Sequence, residues 1–145
     1  MQLWELCARE RIRDTLARYN WSGDALRLDE LAESFCADGA LELRDREPVR
    51  GRTAIVEFLG GSVAAPAAAA TSTKRIVRHN VTNIRFLELT PDQARVACYF
   101  TVVTEIGLDH YGRYRDVFVP VGDEWLIRHR FVSTDWAAPN STMAR

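Results

Sequence analysis

Four strand-like runs, separated by connections too short to hold a helix, fill the second half of this chain and restrict its fold more than any other feature. They are Arg75 to Leu89, Ala94 to Ile106, Tyr111 to Val121 and Trp125 to Trp136, and the separators "TPDQ", "GLDHYG" and "VGDE" are of hairpin length. Strands joined this way make an antiparallel meander. The first half has a different period. Trp4, Ala8, Ile12, Leu16 and Tyr19 recur at three- and four-residue steps, which predicts an amphipathic helix from Gln2 to about Trp21, ended by Gly23. "RLDELAESF" predicts a short second helix with Asp29 as its N-cap and a stop before the turn signal Asp38-Gly39. "ALELR" then alternates as a strand, and after a turn around Pro48 "GRTAIVEFLGG" predicts a third helix, capped by Thr53 and closed by Gly60-Gly61. "SVAAPAAAATST", residues 62–73, is a low-complexity linker in which Pro66 forbids an unbroken helix; it suits a flap or a passive loop equally.

Helices followed by a meander is α+β order rather than alternating βαβ. The expected shape is a cone-shaped α+β barrel, with three N-terminal helices packed in a strongly curved, mostly antiparallel sheet. At 145 residues with 47% hydrophobic content, the chain is read as a single domain, 1–145, with material for one sizeable core. The formal net charge is −1, and the 19 basic residues, all arginine but Lys74, are scattered rather than gathered into a stripe, which argues against nucleic acid as a partner. Cys7, Cys36 and Cys98 are far apart with no metal-ligand spacing, so neither a disulfide framework nor a zinc site is expected and the setting is read as cytoplasmic. No apolar run approaches the length of a membrane span, and no membrane partner is expected.

Two residues interrupt these patterns. In "KRIVRHNVTNIRFLEL", His79 shares a strand face with Val77 and Val81, and an apolar face does not carry imidazole without cause. In "RYNWSGD", Asp24 stands where the first helix ends; a carboxyl held there against an apolar cavity would trade protons near neutral pH, unless it merely caps the next helix or pairs with Arg27. Trp21, Phe58, Tyr99 and Tyr114 are candidate walls of the pocket. Arg130 could bind a carboxylate or enolate oxygen, or be tied up in a salt bridge. Val96, Cys98, Phe100 and Val102 share one face of their strand, and Ala97, Tyr99, Thr101 and Val103 the other, so one apolar face is left for a second copy of the chain. No Gly-rich phosphate loop, nucleophile elbow or paired metal ligands appear, and no cofactor is expected.

The motifs "RYNWSGDALRLDELAESFCADGALEL", "GRTAIVEFL", "RHNVTNI", "GRYRD" and "EWLIRHRFVSTDW" resemble the SnoaL-like branch of the nuclear-transport-factor-two-like superfamily over nearly the whole chain. That branch includes polyketide cyclases, scytalone dehydratase and bile-acid 7α-dehydratase. The resemblance implies that Tyr19 and Asp24 are the helix-end acid–base pair, that His79 is the catalytic base and that His110 lies near a second active-site histidine; His129 and the closing Asp135-Trp136 read as structural. It further implies a homo-oligomer, trimer slightly ahead of dimer. The function expected is that of a dehydratase, cyclase or isomerase acting on a small, mostly apolar, ring-containing hydroxy-ketone, polyketide-like or steroid-like molecule. Two alternatives stand beside it: a non-catalytic ligand-binding or assembly subunit like the dioxygenase β subunits, and an epoxide hydrolase using Asp24 opposite Asp116 or Asp135.

Overall fold

A computed structural model describes residues 1–61 and 76–144; the linker 62–73 lies outside the described residues. Among them the order is α1 (Leu3–Asp24), α2 (Leu28–Ala32), β1 (Phe35–Leu43), β2 (Val49–Arg50), α3 (Arg52–Leu59), β3 (Arg78–Leu89), β4 (Ala94–Thr104), β5 (Gly107–Val121) and β6 (Glu124–Ala137). The strands form one sheet in the order β2-β1-β6-β5-β4-β3. All pairs are antiparallel except β1 with β6, which run parallel. The architecture is thus the expected α+β one, with a mixed rather than a purely antiparallel sheet.

Register shifts break every long ladder, between Thr82 and Arg85, Val102 and Val103, Tyr111 and Gly112, and Val117 and Phe118. Each such bulge bends its strand and increases its twist, which is how a sheet curls around a helix. At the bend in β5, Gly112 has no room for a side chain: a Cβ there would stand 2.1 Å from the Ser133 carbonyl oxygen. The helical side of the sheet carries the core. Ala8, Ile12, Leu16 and Tyr19 of α1 pack on Val96, Cys98, Phe100 and Val102 of β4 and on Phe118 and Ile127, all buried. Polar anchors fix the helix along its length, Thr15 Oγ1 donating to the Trp125 carbonyl (2.6 Å) and Arg18 to that of Glu33 (3.1 Å).

The helix ends differ from the expectation in instructive ways. Gly23 does not stop α1; the helix continues through Asp24, and the chain turns at Leu26, which adopts a left-handed φ of 58°. Gly23 is instead a contact point, since a Cβ there would lie 3.0 Å from Leu31 of α2. Asp29 sits inside the first turn of α2, whose N-cap is Arg27, and α3 is capped by Gly51 at φ 87° rather than by Thr53. Asp38-Gly39 is not a turn but lies within β1, at its irregularity, where Gly39 passes so close to the Ile127 carbonyl that a Cβ would stand 2.9 Å away. The expected "GLDHYG" hairpin loop shrinks to a turn at Glu105-Ile106, with Gly107 at φ 92°, so Asp109 and His110 belong to β5. The outer face of the sheet keeps Tyr99, Val103, Leu108, Tyr111 and Trp136 exposed, and the Tyr111 and Trp136 rings stack at 5.6 Å.

Candidate functional site

Between α1, the inner face of the sheet and the segment after β6 lies a cavity of about 480 Å³, within the size range of small-molecule sites. Leu28, Leu31, Leu41, Leu43, Leu59 and Val132 make it largely apolar. Into that apolar surface project two imidazoles, His79 from β3 and His110 from β5, with ring centres 6.4 Å apart and nearly perpendicular.

Each imidazole is held from behind by a carboxylate. Asp24, at the last position of α1, accepts from both the ring Nδ1 of His79 (2.5 Å) and its main-chain N–H (2.9 Å), so one carboxylate fixes both the strand and the ring. The alternatives for Asp24, capping α2 or pairing with Arg27, are not what it does: Arg27 pairs with Glu30. An ionised carboxylate only accepts, so the shared proton belongs on Nδ1 and Nε2 is the ring nitrogen left for the cavity. Both members are largely shielded, with side-chain exposures of 21% for His79 and 12% for Asp24.

The second pair repeats the arrangement more deeply. His110 Nδ1 lies 2.7 Å from Asp109 Oδ1, and Asp109 also accepts from Thr104 Oγ1 (3.1 Å) and Ser141 Oγ (2.6 Å). Burial raises the Asp109 carboxyl, but the bonds from Ser141, His110 and Thr104 outweigh it and hold the group below its ordinary 3.8. Burial lowers the His110 pKa below 6.5, against the opposing pull of Asp109, which keeps its imidazole neutral at physiological pH. His110 was expected near the site on resemblance alone; its partner Asp109 was missed.

Phe100 stacks on Tyr114 at 4.7 Å, and Tyr114 meets Tyr19 edge-on at 6.1 Å, so both phenols line the cavity beside the imidazoles. Burial pushes both hydroxyls above 10, which keeps them protonated donors. Beneath them sits Arg130. It is fully buried, its guanidinium 4.2 Å from the Tyr19 ring centre and 3.8 Å from that of Tyr114, and it makes a two-pronged pair with Asp116 (2.8 and 2.9 Å). The salt-bridged alternative is the one observed: Arg130 supports the phenols from outside the cavity rather than lining it.

Three other candidate walls also lie elsewhere. Trp21 is 76% exposed on the outside of α1, because its position one-half turn from Tyr19 faces solvent. Tyr99 is on the outer face of β4, in a shallow groove with Arg85, Arg113 and Arg115, since alternation puts it opposite Phe100. Phe58 packs against the core under Arg46, and its neighbour Leu59 faces the cavity. His129 pairs with Glu42 at 2.8 Å, and Asp135 with Arg113, as structural roles require. Asp116 is taken up by Arg130 and Asp135 by Arg113, and neither aspartate lines the cavity. Among the described residues no group of three or more His, Cys, Asp or Glu could hold a metal ion, and no helix is long and apolar enough to cross a membrane.

A six-stranded curved sheet wrapped on a long helix is the cystatin-like or nuclear-transport-factor-two-like fold. The model of the SnoaL-like domain matches residues 4–131, and the chain belongs to that family. None of the curated proteins matches it. Among solved structures, a Mycobacterium tuberculosis protein of unknown function shares 26% identity at a TM-score of 0.72, covering 86% of this chain and 70% of its own. An NTF2-like protein with a cystatin-like fold from Novosphingobium aromaticivorans is similar at 21% identity and TM-score 0.77, over 94% of this chain and 88% of that one. A scytalone dehydratase-like protein from the same organism aligns at 22% identity and TM-score 0.72, over 94% and 87%. The last two likenesses speak to the fold.

Proposed function

We propose that this protein is a cofactor-independent acid–base enzyme, a dehydratase, cyclase or isomerase, acting on a small, mostly apolar, ring-containing hydroxy-ketone, polyketide-like or steroid-like substrate. The observation that carries the reading is the Asp24–His79 pair opening onto an apolar cavity. His79 Nε2 takes a proton from the carbon beside the substrate carbonyl, and Asp24 holds the ring and stabilises the imidazolium that forms. Tyr19 donates to the carbonyl oxygen as it gains enolate charge. The imidazolium then returns the proton, to a departing hydroxyl that leaves as water in a dehydration, or to another carbon in an isomerisation. The neutral His110 serves as a second acceptor for a substrate hydroxyl. The scytalone dehydratase-like neighbour agrees with this class of chemistry. The exposed apolar outer face supports a homo-oligomer in which a second copy covers it.

The test uses 2-tetralone and a panel of aromatic and steroid-like ketones, followed by proton NMR in deuterated buffer. The wild type should exchange the α-protons of at least one ketone, and His79→Ala should lose that exchange by about 10²–10⁴-fold, the usual worth of a positioned base. Ketones that bind without any exchange would transfer the protein to the non-catalytic ligand-binding class.

A further inference from the structure

The carboxylate that holds His110 is also the anchor of the segment that follows the last strand. Ala138 donates its N–H to the Asp109 carbonyl (2.8 Å), and three residues on, the Ser141 hydroxyl donates to Asp109 Oδ1 (2.6 Å), the same oxygen that faces His110 Nδ1. That hydroxyl in turn accepts the main-chain N–H groups of Met143 (3.3 Å) and Ala144 (3.2 Å), which turns the segment back over the cavity, where Met143 and Ala144 form part of its wall. Ser141 and Asp109 are each 1% exposed, too buried for a surface hydrogen bond made in passing.

We propose that Ser141 and Asp109 are positioning residues for His110: docking of the 138–144 segment through the Ser141 hydroxyl fixes the imidazole with Nδ1 protonated and Nε2 presented to the substrate, so the wall that shapes the cavity also sets its second imidazole. The chemistry explains the choice of a hydroxyl. A carboxylate beside an imidazole can hold the ring as a neutral donor or trap it as a cation, and each further donor on the carboxylate draws off negative charge and favours the neutral ring. Thr104 on Oδ2 and Ser141 on Oδ1 supply two such donors. Among the described residues, the ionisable groups facing the ring besides Asp109 are His79 of β3 and, held against it, Asp24 of α1. The role given to Nε2 rests on the acid–base reading above, but the test needs no turnover, so either can fail alone.

The experiment is a set of histidine-labelled proton–nitrogen correlation spectra of the full chain, recorded from about pH 5 to pH 8. In the wild type, His110 should show the Nδ1–H form and titrate below 6.5. In Ser141→Ala the midpoint should rise by about one unit, a roughly tenfold larger ratio of protonated to neutral ring at a given pH. Ser141→Thr restores the hydroxyl and should return His110 to its wild-type midpoint. An unchanged His110 midpoint and ring form in Ser141→Ala, or a threonine variant that behaves as alanine does, overturns the proposal. Thr104→Val removes the donor from the other oxygen and provides the same reading should Ser141→Ala not fold: a rise supports the shared carboxylate, and no rise refutes it.

Discussion

Removing the charge from Asp116 should be the costliest single-atom-scale change in this protein. Both side chains of the Asp116–Arg130 pair are 0% exposed, and two N–H···O bonds of 2.8 and 2.9 Å join them. Asp116→Asn keeps the shape and one acceptor but leaves a guanidinium in the core with no countercharge. Arg130 cannot escape by becoming neutral, because a guanidinium keeps its proton in a protein even when its countercharge is gone. Breaking such a pair costs about 3–5 kcal/mol, whereas replacing both partners with apolar groups of similar volume is often neutral. In a chain of this length, about 3 kcal/mol corresponds to a fall in Tm on the order of 10 °C. The assay is urea unfolding read by tryptophan fluorescence, with Trp125 buried beside the helix as the reporter, at one fixed protein concentration. Asp116→Leu and Arg130→Met should each lose several kcal/mol, as should Asp116→Asn, and the double of Asp116→Leu with Arg130→Met should lose far less than the sum of its two singles. A single substitution costing under about 1 kcal/mol, or a double that costs the full sum, would refute the reasoning.

Gly112→Ala should destabilise by about 3 kcal/mol or more, since its Cβ would meet Ser133, Thr134 and Phe100 at once; an unchanged urea midpoint would contradict the tight crossing of β5 and β6. Stability, read as urea midpoints across the pH range, should fall as pH drops from about 6.5, because the folded His110 titrates below the unfolded one and the unfolded chain takes the proton first, and His110→Gln should flatten that slope; a further loss should begin as pH falls through 3.8, where the unfolded Asp109 takes its proton before the folded one. Burial pushes the Cys98 thiol up to about 12, so iodoacetamide at neutral pH should label exposed Cys7 first and Cys98 only on unfolding, as mass spectrometry of peptides would show.

The meander was legible because alternation is a local signal: in β4, Val96, Cys98, Phe100 and Val102 are buried and Arg95, Tyr99 and Val103 are exposed, as the period of two requires. The helix and turn boundaries were less so, because glycine has two uses. Gly23 and Gly39 looked like punctuation but are close approaches to Leu31 and to the Ile127 carbonyl, a reason that exists only once α2 and β6 are packed. The same dependence on long-range partners hid the parallel pairing of β1 with β6, which no local pattern announces.

His79 and Asp24 stood out for opposite reasons, an imidazole on an apolar face and a carboxyl at a helix end, and 55 residues apart they meet at 2.5 Å. Asp109 had no such contrast. Placed in an assumed hairpin loop, an aspartate is ordinary; placed in β5 with 1% exposure, it demands partners, and Thr104, His110 and Ser141 are those partners. The start of β5 at Gly107 rather than Tyr111 therefore decided whether the second pair could be read at all. Arg130 shows the converse: a ligand-binding cation and a salt-bridged one look alike along the sequence, and the packed chain separates them, because the cavity ends at the phenols that cover it. A cavity is bounded by whichever side chain stands in front, and that order in depth is a property of the packed chain, so pairs of polar residues can be sought along a sequence while the wall they open through cannot.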